Sequence, residues 1–531
     1  MLNIIPKPIE LKASEGKLCF SRRTKLKGEF APLFPVLYEM LPELDTADGN
    51  SLVFVRNASL PAEGYEIRCQ GGDIEVSAAD ERGAFYGAMT LLQTAENGSF
   101  DAFEAKDAPY YAFRGFMLDS SRHFWSVKKV KQLLDLMARL KMNEFHWHLT
   151  DDQGWRVEIK KYPLLTQKGS IRRITDGIDK SGQQHPGHIG ENYGEGMYYS
   201  QDEVRDVVRY AKERMIEIIP EFDMPGHLTS AIACYPDLYC SREPIEVSDT
   251  WGVHDNIGCV GREELFRFAE DVIDELCELF PGRYFHIGGD EVPKQHWREC
   301  PDCQRRIREE GLADEEALQG YFNDRIAAYL ASKNKIMIGW NEILHTGHPD
   351  KEHIVAQWWY ISNTDVEKDW VNSGGRAVIS PSPYFYMDHP YFVKPLSKTY
   401  SFTPELLGAD DPSKVLGIEI PQWTERIATE EKLDLNTYAR LIAAAEVAWT
   451  PYEQRKYEEF EQRLESKRVY FASLGFEIAD KHIYRGECWP ADAPEDPEER
   501  MKFGFYFWRR IDPDFEVSEA RRLNTEGQIY E

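Results

Sequence analysis

The sequence predicts an α/β protein: a (β/α)8 TIM barrel preceded by a small α/β domain and followed by a short C-terminal extension. From Arg114 onward, short apolar runs ending in polar or acidic residues alternate with amphipathic segments. Eight such runs lie between there and Thr450, and their near-continuous apolar character is that of parallel strands buried on both faces. The residues before this stretch lack that beat. "NSLVFVRN" and "GDIEVSAAD" are strand-like runs between turns, and the Ala-rich "ERGAFYGAMTLLQTA" reads as a helix. The expected divisions are 1–108, 109–450 and 451–531.

In order, the barrel runs are "GFMLDSS", "NEFHWHLTDD", "IEIIPEFDMPGH", "YFHIGGDE", "KIMIGWNE", "HIVAQWWY", "AVISPSPYFYMD" and "VLGIEIPQWTE". Helix signals fall between them. Ser126 precedes a stripe of Val127, Val130, Leu133, Leu134, Met137 and Leu140. Ser200 and Glu203 have capping-box spacing ahead of Val204, Val207 and Ala211. Leu265, Phe268, Ala269, Val272, Ile273 and Leu276 form another stripe. An insertion at about 157–199, rich in Gly, His and Tyr, is expected to cover the barrel mouth. Beyond Thr450, "YEQRKYEEFEQRLESKRVYFASLG" reads as one charged helix, followed by the acidic, Pro-rich "PADAPEDPEER" and a tail of unassigned role.

The bulk charge excludes several functions. Against 63 basic residues stand 91 acidic ones, a net charge of −28 that repels nucleic acid and anionic membrane. No apolar run approaches a membrane span, so no membrane insertion is expected. The N-terminal "MLNIIPKPIELK" shows no apolar core segment or small-residue cleavage site, which points to a cytoplasmic protein. Asn57-Ala-Ser and Asn97-Gly-Ser are then chance matches to glycosylation sequons. The nine cysteines form no regular framework. Only Cys300-Pro-Asp-Cys303 has metal-knuckle spacing; a structural zinc needs a second pair nearby in space, and the expectation is free thiols in a reducing compartment.

Chemistry in a barrel sits at the C-terminal ends of the strands. Here those ends carry Asp119 and Arg122; His146, His148, Asp151 and Asp152; Glu221, Asp223 and His227; Asp290 and Glu291; Trp340 and Glu342; Trp358 and Trp359; Tyr384, Tyr386 and Asp388; Trp423 and Glu425. So many acids stabilise a barrel poorly. Interleaved with tryptophans, they suit carbohydrate: aromatic faces take sugar rings, while carboxylates and Arg take hydroxyls. "RYFHIGGDEVP" is the sharpest case, an apolar run stopped by two glycines and the adjacent carboxylates Asp290 and Glu291. Two such neighbours repel, and one should hold its proton more tightly. A metal-dependent hydrolase is the competing reading. His146-Trp-His148 is a His-x-His on a strand, but no lysine or further His at matching ends completes a cage, so no metal or other cofactor is expected.

The pieces "RGFMLDSSRHF", "HWHLTDDQGWR", "PEFDMPGH", "HIGGDEV", "GWNE", "AQWW", "YFYMD" and "PQWTE" occur in the order found in glycoside hydrolase family 20, the β-N-acetylhexosaminidases, and the chain resembles that family from about 110 to 450. The first 108 residues resemble the N-terminal domain many members carry. The resemblance implies removal of terminal, non-reducing β-linked GlcNAc or GalNAc from an oligosaccharide or glycoconjugate, with retention. The substrate's 2-acetamido oxygen serves as nucleophile and an oxazolinium ion is the intermediate. Matched motif by motif, Glu291 would be the general acid and then base, its proton retained with help from its neighbour. Asp290 would accept from the acetamido N–H, and Tyr386 would donate to its carbonyl. Trp340, Trp359 and Trp423 would wall in the sugar, with "AQWW" leaving Trp358 and Trp359 as alternatives. Arg122, Glu425 and Asp388 would hold hydroxyls. Asp151 and His227 belong to the substrate-binding face, forming with a supporting Asp223 the network behind Glu291. Arg114 would pair with a buried acid, Asp119 and Asp152 would be barrel-end structure, and His146, His148 and His286 hydrogen-bonded core residues. Where many members carry another pocket Trp, "LSKTYSF" offers only Tyr400. Lacto-N-biosidase-like release of a disaccharide, and a catalytically inactive sugar-binding protein, are the alternatives.

Overall fold

The computed structural model describes residues 2–19, 24–41, 51–70, 73–94, 99–172, 193–346, 350–360, 364–507 and 515–525. The Asn97 sequon and the centre of the insertion expected over the barrel mouth lie outside the described residues.

Strands β1 (Glu10–Cys19), β2 (Lys25–Gly28), β3 (Ser51–Arg56), β4 (Tyr65–Gln70), β5 (Asp73–Ala78) and β6 (Ser99–Asp107) form one sheet in the order β1-β6-β4-β5-β3-β2. The helix Glu81–Thr94 covers it and is buried from Gly83 to its end. Gly87 lets the helix approach closely, because a Cβ there would lie 2.7 Å from Val76 Cγ1. The helix's other side meets the base of the barrel, where Tyr86 packs edge-on against Trp449. Arg114 is fully buried at this seam, and its Nη2 lies 2.8 Å from Oε2 of Glu63, an acid that is only partly buried where a buried one was expected.

The eight apolar runs become the eight strands of a closed parallel barrel: β7 (Phe113–Asp119), β8 (Glu144–His148), then, after the two-residue strands β9 (Thr150–Asp151) and β10 (Gly154–Trp155), β11 (Glu217–Glu221), β12 (Tyr284–His286), β13 (Ile336–Trp340), β14 (Ile354–Trp358), β15 (Arg376–Ile379) and β16 (Val415–Gln422). Phe113, Ile219, Tyr284, Ile338, Val355 and Val378 form a separate apolar cluster inside the barrel. Glu221 registers with His148 on β8 and with His286 on β12, so a buried polar layer sits at the strand ends beneath the mouth.

The helices follow their signals. Ser126 Oγ accepts from the Lys129 N–H at the start of Val127–Arg139, and Ser200 with Glu203 closes a full capping box. The charged C-terminal helix is not continuous. It divides into Tyr457–Ser466 and Arg468–Ser473, broken at Lys467, whose ammonium turns inward to the buried Gln93 carbonyl. Farther on, Glu516 is buried and accepts from the Tyr391 N–H at 2.7 Å, tying the last described helix, Phe515–Thr525, to the loop after β15. No helix among the described residues is long and apolar enough to cross a membrane.

Candidate active site

The site is built from the stop in β12. The strand ends at His286, and Gly288 and Gly289 take φ of +66° and +88°. Only glycine fits the first position, because a Cβ on Gly288 would lie 1.8 Å from Asp223 Oδ1. The Gly289 N–H donates to that same oxygen at 3.2 Å. Asp223 thus supports the turn that separates Asp290 and Glu291. Glu291 itself sits at φ 47°, as does His227 across the mouth, a backbone region non-glycine residues seldom occupy.

The two carboxylates meet different surroundings. Asp290 is buried, and its Oδ1 has no hydrogen-bond partner among the described residues. Burial raises its pKa well above the ordinary carboxylate range; His227 opposes this, while Glu342 and Glu291 add to it. The Glu291 side chain is 41% exposed. What burial it has would raise its pKa, but the His227 imidazole, 3.7 Å away, brings it below the usual value. These directions run opposite to the expectation that Glu291 keeps its proton with help from its neighbour. Burial favours the neutral form of Asp290, whereas water and the nearby His227 imidazole favour the charged form of Glu291.

His227 owes its charge to Asp151 and Asp152, whose oxygens lie 3.2 and 3.1 Å from its Nδ1. Although burial works against it, these carboxylates and Glu291 hold the imidazole well above its ordinary pKa. Asp151 is fully engaged: it accepts from the Asp152 N–H at 2.6 Å and lies 2.9 Å from His148 Nε2 and 2.7 Å from Arg122 Nη2. Despite burial, Arg122 and His227 keep it well below the usual range. Asp151 therefore positions Arg122 and His227, and at 1% exposure it offers no oxygen to a sugar. Asp152 caps the Thr229 N–H at 3.0 Å and Asp119 accepts from the Ser121 and Arg122 N–H groups at 2.9 and 3.0 Å, both as barrel-end structure.

Beneath this lies Glu221, which sequence reasoning left without a role. His146 Nε2 and His286 Nδ1 each come within 3.0 Å of its oxygens, His148 Nδ1 contacts it, and Trp340 Nε1 donates to it at 3.1 Å. Burial disfavours the charge on His146, yet Glu419 and Glu221 push that imidazole up to about 9. The His-x-His pair does point one way, toward a carboxylate. One ligand-type atom each from His146, Glu221 and His286 lies within 4.8 Å of the others.

Aromatic rings enclose the space beside Asp290. Trp340 lies 5.6 Å from Trp423, and Trp423 lies 6.4 Å from Tyr386. Trp359 is stacked on Tyr386 at 5.9 Å and 17°, and its indole N–H donates to Glu342 at 3.0 Å. Trp358 is buried, with its N–H on the Tyr360 carbonyl, so of the two Trp359 is the one beside Tyr386. Glu342 is the second residue without a role in the sequence reading; its place after "GW" at a strand end was visible, its partner was not. Tyr400 turns away, its hydroxyl donating to Glu446 at 2.7 Å and its ring stacking on Phe460. At the rim, the Arg122 guanidinium lies 5.0 Å above the Trp423 ring and 3.9 Å from Glu425. Asp388, 3.1 Å from His389 Nδ1, is held at about 2: burial would raise it, and His389 and Lys394 prevail. A cleft of about 330 Å³, lined by Glu291, Val292, Lys294 and Glu342 among others, opens beside Glu291.

The profile of the Glycosyl hydrolase family 20 catalytic domain matches residues 111–452, and that of the family's domain 2 matches residues 1–108. A beta-hexosaminidase of Porphyromonas gingivalis is 37% identical over 508 residues, covering 88% of this chain and 63% of the relative, so the chain spans less than two thirds of that protein. A beta-hexosaminidase of Akkermansia muciniphila is 30% identical, covering 87% of this chain and 92% of its own. Among solved structures, a beta-N-acetylhexosaminidase from Bacteroides fragilis superimposes with a TM-score of 0.78 at 32% identity, covering 90% of this chain and 97% of its own. A Vibrio harveyi exo beta-N-acetylglucosaminidase in complex with N-acetylglucosamine gives 0.79 at 31% identity, with 90% and 78% covered.

Proposed function

The chain belongs to glycosyl hydrolase family 20, and on that premise we propose that it is a retaining exo-β-N-acetylhexosaminidase acting on terminal, non-reducing β-linked GlcNAc or GalNAc. The observation that carries the reading is the buried Asp290 Oδ1, without a donor among the described residues and beside the aromatic enclosure of Trp340, Trp359, Tyr386 and Trp423. A buried carboxyl oxygen without a partner is costly. An acetamido N–H is a donor of the right kind, its methyl suits the rings, and the Tyr386 hydroxyl can donate to its carbonyl.

The chemistry then follows from the pair. The acetamido oxygen attacks the anomeric carbon as the glycosidic C–O bond breaks, and Glu291 gives its proton to the leaving oxygen. Positive charge spreads over the oxazolinium ring, next to the Asp290 carboxylate. Water, losing a proton to Glu291, then opens the ring from the face the aglycone left, and configuration is retained. Arg122, Glu425 and Asp388 hold the ring hydroxyls at the rim.

Hydrolysis of p-nitrophenyl β-GlcNAc, β-GalNAc and β-lacto-N-bioside tests this. The proposal expects turnover of the first, the second or both. Turnover of the bioside alone would mark disaccharide release, and binding without turnover an inactive sugar-binding protein.

A further inference from the structure

Four of the cysteines converge on one point. Cys240 and Cys259 lie on the segment between β11 and the helix Glu263–Leu279; Cys300 caps the helix Pro301–Glu309 and Cys303 sits in its first turn. Their Sγ atoms are 3.9 Å apart for Cys240–Cys303, 3.7 Å for Cys259–Cys300 and 3.7 Å for Cys259–Cys303, and all four lie within 4.8 Å of one another. Cys259, Cys300 and Cys303 are buried, and none of the four is disulfide-bonded. We infer that these four thiolates form a structural zinc site.

The geometry suits that ion. Four sulfurs around zinc at bonds of about 2.3 Å stand roughly 3.8 Å apart along each edge of the tetrahedron. These three separations match that edge, whereas a disulfide would need roughly 2.05 Å. Tetrahedral sulfur coordination selects zinc or iron among the common metals. Apolar packing explains one or two buried thiols, but gives no reason for four to face a common centre.

The surroundings are built to hold the sulfurs there. Arg262, its side chain 9% exposed, binds Asp302 Oδ2 at 2.6 Å, the Tyr239 carbonyl at 2.7 Å and the Cys240 carbonyl at 2.9 Å. It thereby ties both cysteine-bearing segments together and sets a positive charge beside a cluster that would carry two net negative charges with the metal bound. Gly261 allows these segments to touch, since a Cβ there would lie 2.2 Å from Cys303 N. Trp297 donates to the Gly258 carbonyl at 2.9 Å, and the Cys259 N–H donates to the Leu238 carbonyl at 2.7 Å.

The site clasps two loops of the barrel mouth. One runs from β11 through His227 to Cys240 and Cys259; the other runs from β12 through Glu291 to Cys300 and Cys303. Zinc therefore holds the segment bearing the His227 imidazole against the one bearing the Glu291 carboxylate, without touching either. The assignment stands on the cysteines alone and is independent of the proposed reaction.

The test is a metal count on the full-length, untagged chain purified without chelator, by inductively coupled plasma and native mass spectrometry. About one zinc per chain is expected, released to a chromogenic chelator when a mercurial blocks the thiols. Cys300→Ser combined with Cys303→Ser should fall below about a tenth of a zinc per chain and melt at a lower temperature. Cys277→Ser, outside the cluster, should keep its zinc. If the double variant does not fold, the wild-type count and mercurial release decide. Stoichiometric iron instead of zinc, disulfides among the four, zinc retained by the double variant, or a wild-type chain without zinc after dialysis against zinc chloride would each overturn the inference.

Discussion

His227 Nε2 lies 3.7 Å from Glu291 Oε2, and almost as near, 3.8 Å, to Asp290 Oδ2. One imidazolium thus faces both carboxylates and lowers both, but burial outweighs it only at Asp290. Burial favours the neutral form of Asp290, whereas the proposed reaction needs a proton on Glu291. Substrate supplies the bias for exchange. An acetamido N–H favours the ionised Asp290, and the aglycone displaces the water that stabilises the Glu291 carboxylate. On this view the site gains its working protonation state only when the correct sugar is bound.

Replacing His227 with Asn should move the whole pH profile of kcat/KM toward alkaline values. The working pair holds one proton. Activity falls on the acid side when Glu291 takes up a second proton, below the ordinary glutamate value, and on the alkaline side when Asp290 loses its own, above the ordinary aspartate value. Without the imidazolium both affinities for protons rise, so both limbs shift upward. An acid limb that stays in place would mean that His227 does not govern Glu291.

Glu291→Gln should reduce kcat on the order of 10²–10⁴-fold for a poorly leaving aglycone. The loss in the first step should shrink with an activated phenol, which leaves without a proton. Equal losses with both substrates, measured under single-turnover conditions, would count against Glu291 as the acid.

Gly288→Ala tests the turn. The added Cβ would lie 1.8 Å from Asp223 Oδ1 at a φ of +66°, so Asp223 or the 288–291 turn must move. A stability loss of about 1–3 kcal/mol and a kcat loss of about 100-fold are expected. Gly374→Ala, at φ +99° with no neighbour within 4 Å, is the control: some stability lost, kcat kept. Normal kcat in Gly288→Ala would show that the turn does not position the pair.

Glu516→Ala should expose the function of the C-terminal segment. The Tyr391 N–H would lose its partner, costing about 1–3 kcal/mol, and KM should rise because Tyr391 follows closely on Tyr386 and Asp388. Glu516→Gln keeps an acceptor and should restore both. An unchanged melting temperature in the alanine variant would show that the contact contributes nothing.

The strand ends were legible because a barrel imposes one repeated pattern, and acids or tryptophans closing apolar runs depart from it at the same place each time. The turn at Gly288 and Gly289 was legible for the same reason: adjacent residues on a strand point opposite ways, and Asp290 and Glu291 need a break to share a site. Which of them binds a proton more readily was not legible, because it depends on burial and on His227. Cys300 and Cys303 announced a knuckle, but Cys240 and Cys259 are too widely spaced to be read as its second half. The break at Lys467 was hidden because the charged pattern runs straight through it, and the contact of its ammonium with the Gln93 carbonyl joins residues far apart in sequence.

The nucleophile itself is open to test. If the acetamido oxygen attacks, Asp290 and Tyr386 serve to orient it, and the reaction draws on an intramolecular advantage that well-aligned groups can make worth about 7–11 kcal/mol. A substrate with a 2-hydroxyl in place of the 2-acetamido group loses both the nucleophile and the methyl's contact with the rings. Its kcat/KM should fall at least roughly a thousandfold, or about 4 kcal/mol of transition-state stabilisation. Asp290→Asn should impair the acetamido substrate severely, since an amide cannot supply the negative charge opposite the oxazolinium nitrogen. A thiazoline resembling the bicyclic intermediate should inhibit competitively and far more tightly than free GlcNAc, and Asp290→Asn should weaken it because the same carboxylate faces the same ring nitrogen. Trapping of a covalent glycosyl–enzyme on any carboxylate by a fluorosugar, or cleavage of the plain glucoside about as fast as the N-acetylglucosaminide, would defeat the mechanism.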